Sequence, residues 1–409
     1  MTLRPDSDTA ADPRLGFAEF VGLIAAMIAI TAFSIDIMLP AFPAIAAELG
    51  IALANDRQEI ITAYMIGFAV GQIACGPVSD TFGRRPVAFA GFALFIAATV
   101  AAAFAQSFPA LLAARAAQGI GAAAPRIMAL AIVRDRFAGD RMARVMSLVM
   151  TVFIVVPVVA PSIGQLILLV GTWRWIFGFL LVFGLAALAW AWFRLPETLS
   201  PANRRPFRPG TVASAVATAV TTRQTVGYGT AMGLIFGALM TYLGTAQQIL
   251  GELYGLERLF PVAFGFSALA FAAASFTNSR LVMRFGTRRL SHTALVAFIA
   301  VTAGHGLLAL AGDPPFPVYF ALVSLSMFLF GLIGPNFNAL AMEPLGRIAG
   351  TAASFVGAFS TTVSALAGWL IGRQFDGTVA PIALGFAGLG LACLVTVLVT
   401  ERGRLSLRP

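Results

Sequence analysis

The stretch Gly76-Pro-Val-Ser-Asp80-Thr-Phe-Gly83-Arg84-Arg85 separates two long apolar runs, and a shorter echo, Arg284-Phe-Gly286-Thr-Arg-Arg289, separates two more far downstream. Each packs charge and a glycine into the narrow space between hydrophobic segments. Glycine permits a tight reversal of the chain. An aspartate beside two arginines makes a compact charge-assisted cluster. What lies on either side of these loops therefore decides the fold.

The flanking segments read as membrane spans. Of 409 residues, 59% are hydrophobic and 11% charged, with a mean hydropathy of +0.88, whereas a soluble domain carries roughly 25% charged residues. A chain this apolar lacks the polar exterior that water requires. A spanning helix needs about 20 mainly apolar residues. Division at the Arg, Pro and Gly clusters predicts twelve: 16–48, 57–80, 86–106, 108–134, 143–170, 172–194, 225–250, 259–283, 289–312, 316–342, 347–372 and 379–400. The first is longer than a bilayer needs, and Pro40 and Pro43 predict a kinked or broken end.

All 27 cationic side chains are arginines, and their placement predicts orientation. With the N-terminus inside, one side collects 21, the other only Arg57, Arg174, Arg258 and Arg373, while Arg115 and Arg126 fall within a span. Both termini are expected in the cytoplasm. The net charge of +9 then reflects insertion topology and lipid head groups rather than nucleic-acid binding. The Pro- and Arg-rich stretch 195–224 reads as a cytoplasmic linker between an N-terminal six-helix bundle, 1–194, and a C-terminal one, 225–409. Two halves with an echo at matching positions are how transporters with parallel repeats are built, the substrate lying near the midplane between them.

Other residues point to simpler roles. Cys75 and Cys393 lie far apart in apolar runs and imply neither a disulfide nor a metal site. His292 and His305 lack metal-ligand spacing and read as packing or interfacial residues. The apolar run from Phe17 is too long for a signal-peptide core and is expected to remain as the first span. Trp173-Arg174-Trp175 reads as an interfacial anchor.

The ten-residue loop is similar at every fixed position to the loop signature of the major facilitator superfamily, and the resemblance extends over essentially the whole chain. It implies a gating role for Gly76, Asp80, Gly83, Arg84 and Arg85, holding one conformation closed and releasing it in another. It also implies a monomer. The fourth span, Arg115-Ala-Ala-Gln118-Gly119-Ile-Gly121-Ala-Ala-Ala-Pro125-Arg126, resembles the family's fourth-helix motif. An arginine in hydrocarbon is costly and should face protein or a watery cavity. Arg115, Gln118, Gly119, Ala122 and Arg126 share one helical face, read as cavity wall, although its small residues also suit close packing.

The pattern Ser34-Ile-Asp36-Ile-Met-Leu-Pro40-Ala-Phe-Pro43 resembles the Bcr/CflA group of drug-resistance exporters, as does Ala131-Ile-Val-Arg134-Asp135, which joins the gating set. Asp36 is the acidic residue placed well inside a span, whereas Glu19, Glu48, Glu252 and Glu343 fall near span ends. Asp36 and Arg115 fall at similar depth, so they could pair. Burial opposes ionisation of a carboxyl group and a nearby guanidinium favours it. A site that alternates between wet and closed could therefore load and release a proton, the alternative being a static ion pair.

The fifth span holds Pro157-Val-Val-Ala160-Pro161-Ser-Ile-Gly164-Gln165, which resembles the exporters' antiporter motif and its bendable helix. Gln165 stands where the family usually has a second glycine, which weakens the inference of antiport and makes Gln165 a candidate for the pathway. Tyr64, Gln118, Arg126, Tyr242, Gln247, Asn336 and Asn338 complete the expected substrate cavity, with Gln248 nearby. A mostly apolar cavity with scattered amides suits a hydrophobic substrate held loosely.

The sequence has no nucleophile elbow, no phosphate-cradling loop, no zinc spacing and no paired catalytic carboxylates. Neither enzyme nor cofactor chemistry is expected, and energy would come from an ion gradient. The expectation is an all-α transporter of the plasma (inner) membrane that exports small hydrophobic compounds in exchange for protons. The alternatives are a proton-coupled importer and a receptor without flux.

Overall fold

The computed structural model describes residues 15–204 and 209–405. The first span is broken where its prolines predict: α1, Phe17–Asp36, gives way to a 3-10 turn at Leu39–Ala41 and then to α2, Phe42–Leu49. The rest of the first half comprises α3 (Glu59–Phe82), α4 (Arg84–Ala103), α5 (Phe108–Arg136), α6 (Gly139–Val170) and α7 (Arg174–Arg194). The second half comprises α9 (Arg223–Ala246), α10 (Phe260–Phe285), α11 (Thr287–Leu310), α12 (Phe316–Met342), α13 (Ala349–Gly372) and α14 (Ala380–Thr400). Twelve segments among the described residues are long and apolar enough to cross a membrane. An even number of crossings puts both termini on one side, here called the terminal face; the other is the far face.

Between the halves the chain is not wholly irregular. A helix α8, Pro209–Thr221, rests on α13. Its alanines favour a helix and its valines, spaced four apart, give it an apolar stripe for a neighbour to cover, which a reading based on prolines and arginines overlooks.

Within the first half α5 packs closely on α3 and α4; within the second, α9 packs on α13 and α14, and α11 and α10 on α12. The α3–α5 contact depends on glycine. A Cβ on Gly119 would collide with the backbone of Tyr64 and Phe68, and one on Gly67 with the backbone of Ala116. The halves meet along two seams, α3 with α13 and α6 with α10. The first, fourth and seventh spans are the most buried, and the fifth and sixth the least.

Candidate functional site

The break in α1 leaves Asp36 at the last turn of the helix, buried at 4% exposure. Glycine brings α6 against this break, because a Cβ on Gly164 would overlap Ile37 O and crowd Pro40. Among the described residues no ion pair or hydrogen bond engages the Asp36 carboxylate. The nearest cue to its partner comes from the other half: Tyr242 of α9 lies within electrostatic reach of Asp36. The Tyr242 ring stacks on Phe264 with centroids 5.6 Å apart, and its buried hydroxyl has no hydrogen-bond partner.

Arg115 is fully buried, and its donors go elsewhere. Nη2 donates to Ser34 O at 2.8 Å, Nε to Ile60 O at 3.4 Å, and Nη1 to Gln118 Oε1. The guanidinium lies 4.5 Å from the Tyr64 ring centroid. Gln118 Nε2 in turn donates to Thr99 Oγ1 of α4 at 2.7 Å. The pairing of Arg115 with Asp36 admitted by depth is therefore absent. Arg115 instead ties α5 to the backbone two residues before Asp36, neutralised by carbonyl dipoles and an aromatic face.

The shared face on α5 divides its duties. Gly119 and Ala122 pack against neighbouring helices and Gln118 is fully buried against α4, so this part of the face is a helix contact rather than an open wall. Arg126 lies about 16 Å further along the axis, from the helical rise, with its guanidinium 5.6 Å from the Phe68 centroid. The Phe68 ring stacks on that of Tyr64 with centroids 6.4 Å apart, so both arginines fold back onto one aromatic pair and both lie within electrostatic reach of Tyr64. Gln165 is half-buried beside Gly164. Asn336 and Asn338 point different ways, as two residues of a helix must. Asn336 is buried and donates to Asn278 Oδ1 of α10 at 2.6 Å, whereas Asn338 is exposed.

Gln247 belongs to a different assembly. The seventh span ends in a π-helix, Gln247–Leu253, a form common at functional sites. It meets the 3-10 turn Ala54–Gln58 of the first half on the far face. Arg57 Nη1 donates to Glu252 Oε1 at 2.8 Å and to Gln247 Oε1 at 3.4 Å. Gln58 Nε2 donates to Gly372 O at 2.9 Å and to Gln248 Oε1 at 3.3 Å. Asn55 Nδ2 donates to Arg373 O and Phe375 O, and its Oδ1 accepts from Gln248. Sequence reasoning missed this seam. Its one available signal was an arginine in a short loop on the arginine-poor side.

On the terminal face the loop signature is a closed cluster. Arg84 donates to Asp80 at 2.7 Å, to Asp135 at 3.0 Å and to Ser79 Oγ at 2.7 Å. Glu197, from the start of the linker, accepts from the backbone N–H groups of Arg84 and Arg85, an anion at the N-terminus of α4. Gly83, with φ of 102°, leaves room for it, since a Cβ there would strike the Glu197 carboxylate. Arg85 donates to Trp192 O, and Thr198 to Asp135. Gly76 lies two turns back on α3, and Arg134 is exposed outside the cluster. In the second half Arg288 donates to both Glu343 and Glu401, and Tyr228 Oη bridges Glu401 and His292.

Trp173 corrects the anchor reading. It is 2% exposed, with Nε1 donating to Glu48 at 2.6 Å, and Arg174 pairs with the same carboxylate. Trp175 is the exposed member, at 62%. Starting α7 at Arg174 turns Trp173 inward against α2.

Side-chain hydrogen bonds between the halves run from the far face to Gln72–Thr361. These contacts join the two halves of the chain on the far face.

The sequence profile of the Major Facilitator Superfamily matches residues 24–368. The bicyclomycin resistance protein homolog of Haemophilus influenzae is 30% identical over 90% of this chain and 91% of its own. Multidrug resistance protein MdtL of Escherichia coli is 31% identical over 82% of this chain and 84% of its own. Among solved structures a D-xylose-proton symporter matches with a TM-score of 0.72 at 16% identity, covering 92% of this chain and 97% of its own, a likeness of fold. With twelve segments able to span a membrane and a family match over most of its length, this chain belongs to the Major Facilitator Superfamily and is a multi-pass membrane transporter.

Proposed function

We propose that the protein exports small, largely hydrophobic compounds across the plasma (inner) membrane in exchange for protons, as a monomer, by alternating access of residues 1–194 and 225–409 joined by the linker 195–224. The observation that carries this reading is Asp36, a buried carboxyl at a helix break without an ion-pair partner among the described residues and within electrostatic reach of Tyr242 of the opposite half. A buried charge without a partner is costly. Asp36 would carry its proton when enclosed and yield it when the cleft wets, with Tyr242 reporting the state of one half to the other. Arg115 and Gln118 hold the α1 backbone in place beneath it. The terminal face is assigned to the cytoplasm on the arginine bias, which makes this an inward-facing form with the Arg57–Glu252 seam as its closed outer gate. The resistance names of the two relatives support drug-like substrates.

In everted vesicles carrying the protein, a substrate dye should be accumulated on energisation and lost when the proton gradient is collapsed. Asp36→Asn should abolish both substrate-driven proton release and dye accumulation. An Asp36→Asn protein that still couples substrate to protons would overturn the proposed role. Gln165 keeps proton-coupled import as the second reading, and the sign of the dye movement separates the two.

A further inference from the structure

The two echoing loops of the terminal face spend their charge differently. In the first, Arg84 has two carboxylates and Glu197 closes over the backbone. In the second, Arg288 alone takes acidic partners, Glu343 and Glu401. Arg280, Arg284 and Arg289 have no carboxylate within ion-pair distance among the described residues. Their guanidiniums rest on aromatic rings instead: Arg280 is 4.2 Å from the Phe276 centroid, and Arg284 and Arg289 are each 5.3 Å from that of Phe285. Two cations on one ring repel each other, and the ring quadrupole offsets only part of that repulsion.

The surroundings say what compensates them. Phe276, Arg280, Met283 and Arg284 recur at helical spacing along one side of α10. Phe276 is 60% and Met283 87% exposed. The cations thus stand at the end of a candidate spanning helix with uncovered apolar side chains next to them. A free phosphate would use the arginines and leave Phe276 and Met283 bare.

We infer that the hairpin joining α10 to α11 binds the phosphodiester headgroup of an anionic phospholipid through Arg280, Arg284 and Arg289, with its acyl chains against Phe276 and Met283. The site stands apart from Asp36 and does not depend on what is transported.

Native mass spectrometry of the full-length protein with phosphatidylglycerol and phosphatidylcholine tests this. Phosphatidylglycerol should be retained in preference. The triple variant Arg280→Gln, Arg284→Gln, Arg289→Gln should lose roughly a hundredfold in affinity, about fivefold per arginine, while Arg404→Gln, an exposed arginine of the C-terminal segment, leaves it unchanged. Removing unpaired surface charges should not unfold the chain, which a thermal scan checks. Phe276→Ser with Met283→Ser keeps every charge. It should weaken long-chain phosphatidylglycerol while sparing soluble glycerophosphoglycerol. Equal retention of the two lipids, or triple-variant binding equal to wild type, would overturn the site. Competition by inorganic phosphate at the same concentration as the lipid would reduce it to a simple anion site and overturn the lipid assignment.

Discussion

Gln58 occupies the space that a side chain on Gly372 would need. Its amide donates to Gly372 O at 2.9 Å, and a Cβ on that glycine would overlap Gln58 Oε1. The amide of one half thus fills a notch in the other, and the far face shuts by shape as well as by charge.

Gly372→Ala should therefore loosen that closure. Overpacking a fitted contact costs typically 1–3 kcal/mol, enough to shift a two-state balance about five- to a hundredfold. Spin labels at the far-face positions Leu53→Cys and Gln374→Cys should show an added population at longer distance. An unchanged distance distribution contradicts the notch.

The Arg57–Glu252 pair should respond unequally to truncation. The Arg57 side chain is 7% exposed and that of Glu252 41%. Removing Glu252 strands a buried cation, whereas removing Arg57 leaves a carboxylate that water can reach. Glu252→Ala should open the far face more than Arg57→Ala, by about 1–3 kcal/mol. The double variant should lie closer to Arg57→Ala. Equal effects in the same label-distance measurement would show that the pair carries no buried charge.

Arg115 should be sensitive even to a change that keeps its charge. Arg115→Lys loses the fork that reaches Ser34 O, Ile60 O and Gln118 together. Each buried acceptor left unmade costs about 1–3 kcal/mol. Thermal unfolding of the purified protein should shift downward by several degrees, and Gln118→Leu should add less on top of Arg115→Lys than it costs alone. A wild-type midpoint for Arg115→Lys rules out the tie.

Glu401 links pH to the second half. Burial opposes its ionisation, but hydrogen bonds from Tyr228 and Arg288 outweigh that and hold its carboxyl below the usual glutamate range. A carboxyl lowered on folding stabilises the fold above its ordinary value of about 4.3, and the contribution fades as pH falls through the lowered one. Between pH 7 and 5 stability should be flat with respect to this group, and it should decline below about 4. Glu401→Gln should remove that part of the acid loss; an identical pH profile speaks against the linkage.

What was legible in the sequence is what neighbours in sequence decide. Hydropathy carried the span count, Pro40 and Pro43 the break after Asp36, and the motif residues the Asp80–Arg84–Asp135 cluster. Contacts set by how the halves dock were hidden. Glu252 read as a solvated span end, yet it holds Arg57 across the far face, and Glu197 read as linker, yet it caps α4. Depth alone admitted a pair between Arg115 and Asp36, but the direction of each side chain depends on helix rotation, which hydropathy leaves open.

The π-helix at Gln247–Leu253 makes the far-face seam a matter of chain length. A π turn accommodates one residue more than an α turn, so deleting a single residue there restores ordinary winding and leaves everything beyond it facing nearly the same way. Ordinary winding with the residue kept would instead turn Glu252 by roughly a quarter turn away from Arg57 while the span stayed helical. The latch thus rests on holding the wide turn open, and a change that tightens it would release the far face with no latch side chain altered and without touching Asp36.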